Sequence, residues 1–171
     1  MGLKQEQFIQ KMARPCQESC AGTPLFPSVK LAQLALETGW GKTIEDTANA
    51  CFGIKATSRW LGKVISFTTK ETINGVSKTF TGTGQIYDNY TSAIQAGANR
   101  TTLFRAYDSI EQSISDHSRL LLNSPTYEKV RQATTPEAQC TALKQCGYAT
   151  AQDYDTVLIK IIHGYQLNKF D

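Results

Sequence analysis

An α+β fold, mostly helical with a single β-hairpin, is what this 171-residue chain predicts, on three observations. The run VKLAQLALE, residues 29–37, is apolar around most of a helix circumference. Asn74-Gly75 separates two stretches rich in β-branched and aromatic residues, the strongest short-range signal for a hairpin. The last third carries helix-start chemistry followed by apolar residues at helical spacing. No internal repeat or linker divides the sequence, so 1–171 reads as one domain.

Residues 4–13 predict a short helix with Phe8, Ile9 and Met12 on one face, and Pro15, Gly22, Pro24 and Pro27 mark the loop after it. In the helix behind Ser28, the residues Val29, Leu31, Ala32, Leu34, Ala35 and Leu36 call for burial. They leave a narrow polar stripe of Lys30, Gln33 and Glu37 at i, i+3 and i+7, whose plain reading is a solvated edge. Gly39 is a natural residue to end this helix in the left-handed conformation. Residues 63–73, KVISFTTKETI, form the first hairpin strand, with Ile65, Phe67, Thr69, Glu71 and Ile73 on one face by period 2. Residues 81–103 are rich in Gly, Thr and Asn, with weak helical character around SAIQAGA, and read as a loop or insertion. Asp108-Ser109 with Glu111-Gln112 offers a capping box for a helix presenting Ile110, Ile114, His117 and Leu121. Thr135-Pro136 starts another helix, which Gly147 ends. Thr150 with Asp153 opens the last, with Tyr154, Leu158, Ile161 and Tyr165 on its face.

The composition, 40% apolar and 19% charged, is that of a globular protein able to build a core without metal or disulfide. The formal charge of +3 comes with no run of Lys and Arg, which argues against a nucleic-acid partner. No stretch approaches the roughly 18 apolar residues of a membrane span. The first residues lack the apolar centre of a signal peptide, so export would use another route or follow removal of a leader. Cys16, Cys20, Cys51, Cys140 and Cys146 are odd in number, leaving at least one free thiol in a monomer. Cys140 and Cys146 can pair only if the helix ends between them, because six residues of continuous helix separate them by about 9 Å. There is no CxxC pair, and His117 and His163 are isolated, so no zinc site is expected. Neither a Walker A loop, nor a dinucleotide-binding glycine pattern, nor HExxH occurs, and no cofactor is expected.

Two carboxylates stand out. Glu37 falls in the last turn of a mostly apolar helix, where the negative end of the helix dipole and partial burial both raise a carboxyl pKa. Such a group holds a proton near neutral pH and can give it to a leaving oxygen. Glu71 interrupts an otherwise apolar strand face, which then lines a cleft or lies at a wet hairpin tip. Two carboxyl groups flanking a scissile bond are the machinery of glycoside hydrolysis.

The segments PSVKLAQLALETGWGKT and NACFGIKA, then TKETINGV, FRAYDSIEQSISDHSRLL and GYATAQDYDTVLIKIIHGYQL, resemble in order the N-acetylglucosaminidases of glycoside hydrolase family 73. These blocks cover most of residues 27–168. The resemblance implies a lysozyme-like fold with a hairpin lobe, and cleavage of the β-1,4 bond on the reducing side of N-acetylglucosamine in peptidoglycan glycan strands. It places Glu37 on the general acid and Glu71 on the hairpin carboxylate, which activates water in an inverting site and matters less where the substrate acetamido oxygen attacks the anomeric carbon. Tyr148 falls on an active-site tyrosine that stabilises the charged sugar or orients its 2-acetamido group. Asn49, Phe52, Trp60 and Tyr107 fall on positions along the sugar cleft. For Phe52, Trp60 and Tyr107 core packing competes with that role, and for Asn49 the holding of a turn does. Trp40 and Tyr154 read as packing residues, and His117 as a satisfied core histidine. Departures from the pattern are Ala50, where many members carry a second Asn, and a longer Gly-rich stretch around 81–98. No wall-anchoring repeat accompanies the segment.

The implied place of action is the bacterial cell wall or periplasm, reached by secretion, phage delivery or another export route. An immunity or delivery protein would accompany the chain if it is an effector. Three readings compete: a muramidase or lytic transglycosylase on a similar fold, a non-catalytic peptidoglycan-binding module, and a thiol peptidase or amidase using Cys51 with a histidine, for which no base is identifiable.

Overall fold

The computed structural model describes residues 2–171, and for Glu45 the backbone alone. The chain forms two compact units, one of residues 1–42 and 114–171, the other of residues 43–113. Helices make the first and short antiparallel strands make much of the second, an α+β fold.

In the first unit, α1 (Leu3–Cys20) packs on α2 (Pro27–Glu37), and α2 also meets α6 (Pro136–Gln145) and α7 (Tyr154–Gly164). The first helix is longer than the expected 4–13 and runs through Pro15. A proline inside a helix removes a backbone hydrogen bond. Here Phe8, Ile9, Met12, Ala13, Cys16 and Cys20 form one buried stripe that continues past it, and tertiary packing outweighs the local cost. Leu31, Leu34, Leu143, Leu158, Ile162 and Leu167 fill the interior. The start of α2 lies at Pro27, and its orphan donors meet Asp171, whose carboxylate takes Ser28 N at 2.7 Å and Ser28 Oγ at 2.8 Å.

Two helices end in the same way. Gly39 N bonds Leu36 O and Trp40 N bonds Ala35 O, while Gly147 N bonds Lys144 O and Tyr148 N bonds Leu143 O. Each is a Schellman closure around a glycine with φ of 57° and 73° respectively. Glu37 is thus the last helical residue before one closure, and Tyr148 the first residue beyond the other.

In the second unit, β1 (Val64–Ser66) is central in a three-stranded antiparallel sheet between β4 (Ile86–Tyr87) and β5 (Leu103–Arg105). The hairpin of β2 (Thr69–Ile73) and β3 (Val76–Phe80) is a separate two-stranded ribbon. Ile73 pairs with Val76 around Asn74-Gly75, both at positive φ, as expected of a two-residue turn. The single strand expected over 63–73 is not formed. The chain leaves the sheet at Phe67-Thr68, where Phe67 N bonds Thr102 O and Gly82 N bonds Thr68 Oγ1. Ile65 and Glu71 therefore belong to different sheets.

Residues 81–103 also depart from the expected loop. They hold β4, the start of β5 and α3 (Tyr90–Gln95), a helix opened by a reciprocal capping box of Asn89 and Ser92. Ala93, Ala98 and Leu103 pack with Ala56 and Val64, so this polar-looking stretch supplies much of the unit's core. Helix α4 (Ile110–Asn123) begins with Gln112 N bonded to Ser109 Oγ and Asp108 N bonded to Gln112 Oε1, a variant of the expected box, and the short α5 (Glu128–Gln132) follows it.

All five cysteines are free thiols, four of them buried. Cys140 lies inside α6 and Cys146 caps its end, yet the two stay unpaired. Among the described residues no helix is long and apolar enough to cross a membrane.

Candidate active site

The stripe of Lys30, Gln33 and Glu37 turns inward, against the plain reading of a solvated edge. Lys30 is 2% and Gln33 0% exposed. Only at Glu37 does the stripe emerge at the surface. Gln33 Nε2 donates to the Tyr154 hydroxyl at 3.1 Å, and that hydroxyl donates to Glu37 Oε1 at 3.3 Å. Burial pushes the Glu37 carboxyl above its ordinary value, with the Tyr154 hydrogen bond pulling partly the other way. The residue is exposed, yet the protein packed around its carboxyl lowers the hydration of that group. The backbone beneath it is rigid, since buried Thr38 bonds Leu34 O through Oγ1 at 2.6 Å and accepts Gly41 N at 2.9 Å.

Tyr148 stacks on Tyr154 with ring centroids 5.6 Å apart. Its hydroxyl lies 2.7 Å from His117 Nε2, and Lys30 Nζ meets His117 Nδ1 on the far side of the imidazole. Burial, then the neighbouring Tyr154 and Glu37, hold the Tyr148 hydroxyl well above the ordinary phenol range. His117 is fully buried, as expected of a core histidine, and burial with the Lys30 charge drives its pKa well below the usual value. Glu37 and Tyr148 are thus drawn together through Tyr154. Tyr154 packs as expected, 4% exposed, but its hydroxyl also addresses the carboxylate. No local signal marks it, because Gln33, which needs a polar partner once buried, reads in the sequence as solvated edge. Trp40 packs against Phe8 and Tyr165, with centroids at 5.7 and 4.6 Å, and anchors the turn after Glu37 as expected.

The other expected residues lie in the second unit. Glu71, on β2, pairs with Lys55 Nζ at 2.7 Å and accepts from Thr69 Oγ1 at 3.3 Å. The Lys55 hydrogen bond holds its carboxyl below the ordinary range. Glu37 and Glu71 are therefore shifted in opposite directions, the one toward holding a proton and the other toward remaining ionised. Asn49, at φ 57°, donates its side-chain amide to Tyr107 O at 3.0 Å and holds a turn. Phe52 is 8% exposed and packs as core. Trp60 is half-buried: Nε1 donates to Lys63 O at 2.8 Å, Tyr107 meets its ring edge-on at 5.7 Å, and the Arg105 guanidinium lies 4.8 Å from it. The indole also lines a hollow of about 370 Å³ with Ser58, Leu61, Asn89 and Tyr90. Cys51 is buried, and that burial raises its thiol pKa, the opposite of what a thiolate nucleophile needs.

Residues 13–167 match the glucosaminidase family, described as mannosyl-glycoprotein endo-β-N-acetylglucosaminidase. The peptidoglycan hydrolase FlgJ of Salmonella typhimurium is 31% identical over 163 residues, 92% of this chain and 45% of that protein. A probable N-acetylmuramidase of Lactococcus lactis is 30% identical over 174 residues, 97% of this chain and 35% of that protein. The chain thus spans less than half the length of these curated relatives. The crystal structure of the catalytic domain of the autolysin Auto from Listeria monocytogenes superposes with a TM-score of 0.77 at 25% identity, covering 100% of this chain and 89% of that one.

Proposed function

The chain belongs to the glucosaminidase family, a family of glycoside hydrolases, and from that footing we propose that it hydrolyses peptidoglycan, cutting the β-1,4 bond on the reducing side of N-acetylglucosamine. The observation that carries the reading is the Glu37 carboxyl, desolvated and hydrogen-bonded by Tyr154 at the pinned end of α2. A carboxyl of raised pKa at an open position is placed to protonate the leaving glycosidic oxygen as the bond breaks. Glu71, kept ionised by Lys55, serves as the base that takes a proton from the attacking water. The Tyr148 hydroxyl supplies a hydrogen bond to the sugar as positive charge develops on it. Trp60 offers an aromatic surface for a sugar ring. Asn49, Phe52 and Tyr107 contribute by fixing the turn and the packing around it. The names of the relatives support a glycan strand as substrate, and the place of action is the bacterial cell wall or periplasm.

Digestion of purified sacculi, followed by reduction and mass analysis of the new ends, tests the reading. New N-acetylglucosamine reducing ends are expected. N-acetylmuramic acid ends would instead make the chain a muramidase, as the Lactococcus relative is named, and anhydro-sugar ends a lytic transglycosylase. Binding to sacculi with no new ends would make it a binding module.

A further inference from the structure

Neither Lys30 nor His117 takes part in the chemistry just described, yet both are expensive to bury. They are 2% and 0% exposed, and an apolar pair of similar volume would fill the same space at less cost. Their arrangement has a direction. Lys30 Nζ faces His117 Nδ1, and His117 Nε2 faces the Tyr148 hydroxyl at 2.7 Å. Burial pushes the Lys30 ammonium down to about 8, still on the charged side of neutral pH. The Cys16 and Cys20 thiols are raised by their own burial, Cys16 to about 12, and stay neutral.

An ammonium group has donors and no acceptor. Nδ1 must therefore accept, and a neutral imidazole that accepts at Nδ1 carries its proton on Nε2. Nε2–H in turn donates to the Tyr148 oxygen. The phenol is then an acceptor toward His117, and its own proton is turned away from the imidazole. The Tyr148 ring stacks on Tyr154, whose hydroxyl meets Glu37, and the phenol proton is left for an acceptor other than the imidazole. Were His117 to carry its proton on Nδ1, Nε2 would be the acceptor and Tyr148 would spend its proton on the histidine.

We propose that Lys30 and His117 are positioning residues that fix the tautomer of the imidazole and so hold Tyr148 as a hydrogen-bond donor to the substrate. This rests on the reading of Tyr148 as a substrate-facing group. The charge at Lys30 acts through two hydrogen bonds on a group it does not touch, and its role is orientation.

The tautomer is read directly by long-range proton–nitrogen correlation spectra of the imidazole, in the full chain without substrate. The wild type is expected to show His117 neutral and protonated on Nε2 alone, and Lys30→Met, which removes the donor that holds Nδ1 as acceptor, to add a measurable Nδ1-protonated population. In steady-state kinetics on soluble glycan fragments, Lys30→Met is expected to lower kcat about tenfold or more with KM within about twofold. His117→Gln, whose amide N–H still donates to Tyr148, is expected to retain more activity than His117→Leu. A wild-type imidazole protonated on Nδ1 overturns the proposal, whatever the variants do. So does a Lys30→Met protein with the wild-type tautomer and wild-type kcat. If Lys30→Met does not fold, the wild-type tautomer and the His117→Gln against His117→Leu comparison decide. If the wild type cuts no glycan at all, the proposed reaction fails, and the spectra still decide the relay.

Discussion

The Tyr154 hydroxyl stands between Gln33 and Glu37, receiving a hydrogen bond from Gln33 Nε2 at 3.1 Å and giving one to Glu37 Oε1 at 3.3 Å. A carboxyl at an open helix end is thereby tied to a buried side chain of α7. The contact stabilises the ionised form, and burial opposes it, so the proton affinity of Glu37 is set by two counteracting effects.

Tyr154→Phe removes the favourable contact and leaves the burial. The Glu37 pKa then rises further. An acid catalyst works while protonated, so the alkaline limb of the kcat profile is expected to move to higher pH. The loss of orientation is expected to lower kcat at the optimum by about tenfold or more. A pH–rate profile of the variant against wild type reads both effects.

The pairing of Glu71 with Lys55 has the opposite sign. A base works while ionised, and Lys55 extends that state to lower pH. In Lys55→Met the acid limb of kcat/KM is expected to move upward toward the ordinary carboxylate range. An unmoved limb would mean that a group other than Glu71 titrates there. A modest loss in Glu71→Gln would favour attack by the substrate acetamido oxygen over attack by activated water.

Gly82 crosses close to the chain where β1 gives way to the hairpin. A Cβ there would press on the Phe67 carbonyl carbon and lie 2.7 Å from Phe67 Cα. Backbone cannot yield as a side-chain end can. Gly82→Ala is expected to destabilise the protein by about 2 kcal/mol, read as a lower midpoint in urea.

Asp171 closes the N-terminal end of α2, the helix that ends in Glu37. Asp171→Ala frees the Ser28 amide and hydroxyl and is expected to cost about 1 kcal/mol. Thermal unfolding of the variant measures this, and an unchanged Tm would show that solvent replaces the carboxylate without loss.

Local chemistry explains which features were legible in the sequence. Gly39 and Gly147 announced two helix ends, Asn74-Gly75 a hairpin turn and Thr135-Pro136 a capped start, because each depends on neighbours within one turn. The break between β1 and β2 was hidden, since strand pairing is set by Thr102, Gln85 and Gly82, far along the chain. The stretch 81–103 looked like loop because Asn89 and Ser92 are residues of turns and of caps alike. At the site, Glu37 at the end of α2 and Glu71 on an apolar strand face stood out as candidates, and the resemblance decided for both and supplied Tyr148. Tyr154, Gln33, Lys30 and His117 read as packing or solvated edge because their partners lie on other helices, and one polar atom at the end of a buried side chain leaves no trace in a hydrophobic pattern.

The central claim, that Glu37 delivers the proton, is tested most directly by sacculus turbidity with wild type and Glu37→Gln at matched folding. Because burial raises the folded-state pKa of Glu37, the carboxyl favours folding most below its unfolded pKa. That contribution is lost as pH rises through the folded value. The isosteric Gln variant should therefore melt at pH 7 no lower than wild type. The expected result is clearing by wild type and a rate lower by about a thousandfold in Glu37→Gln. Clearing by both at the same rate would contradict the assignment of the acid.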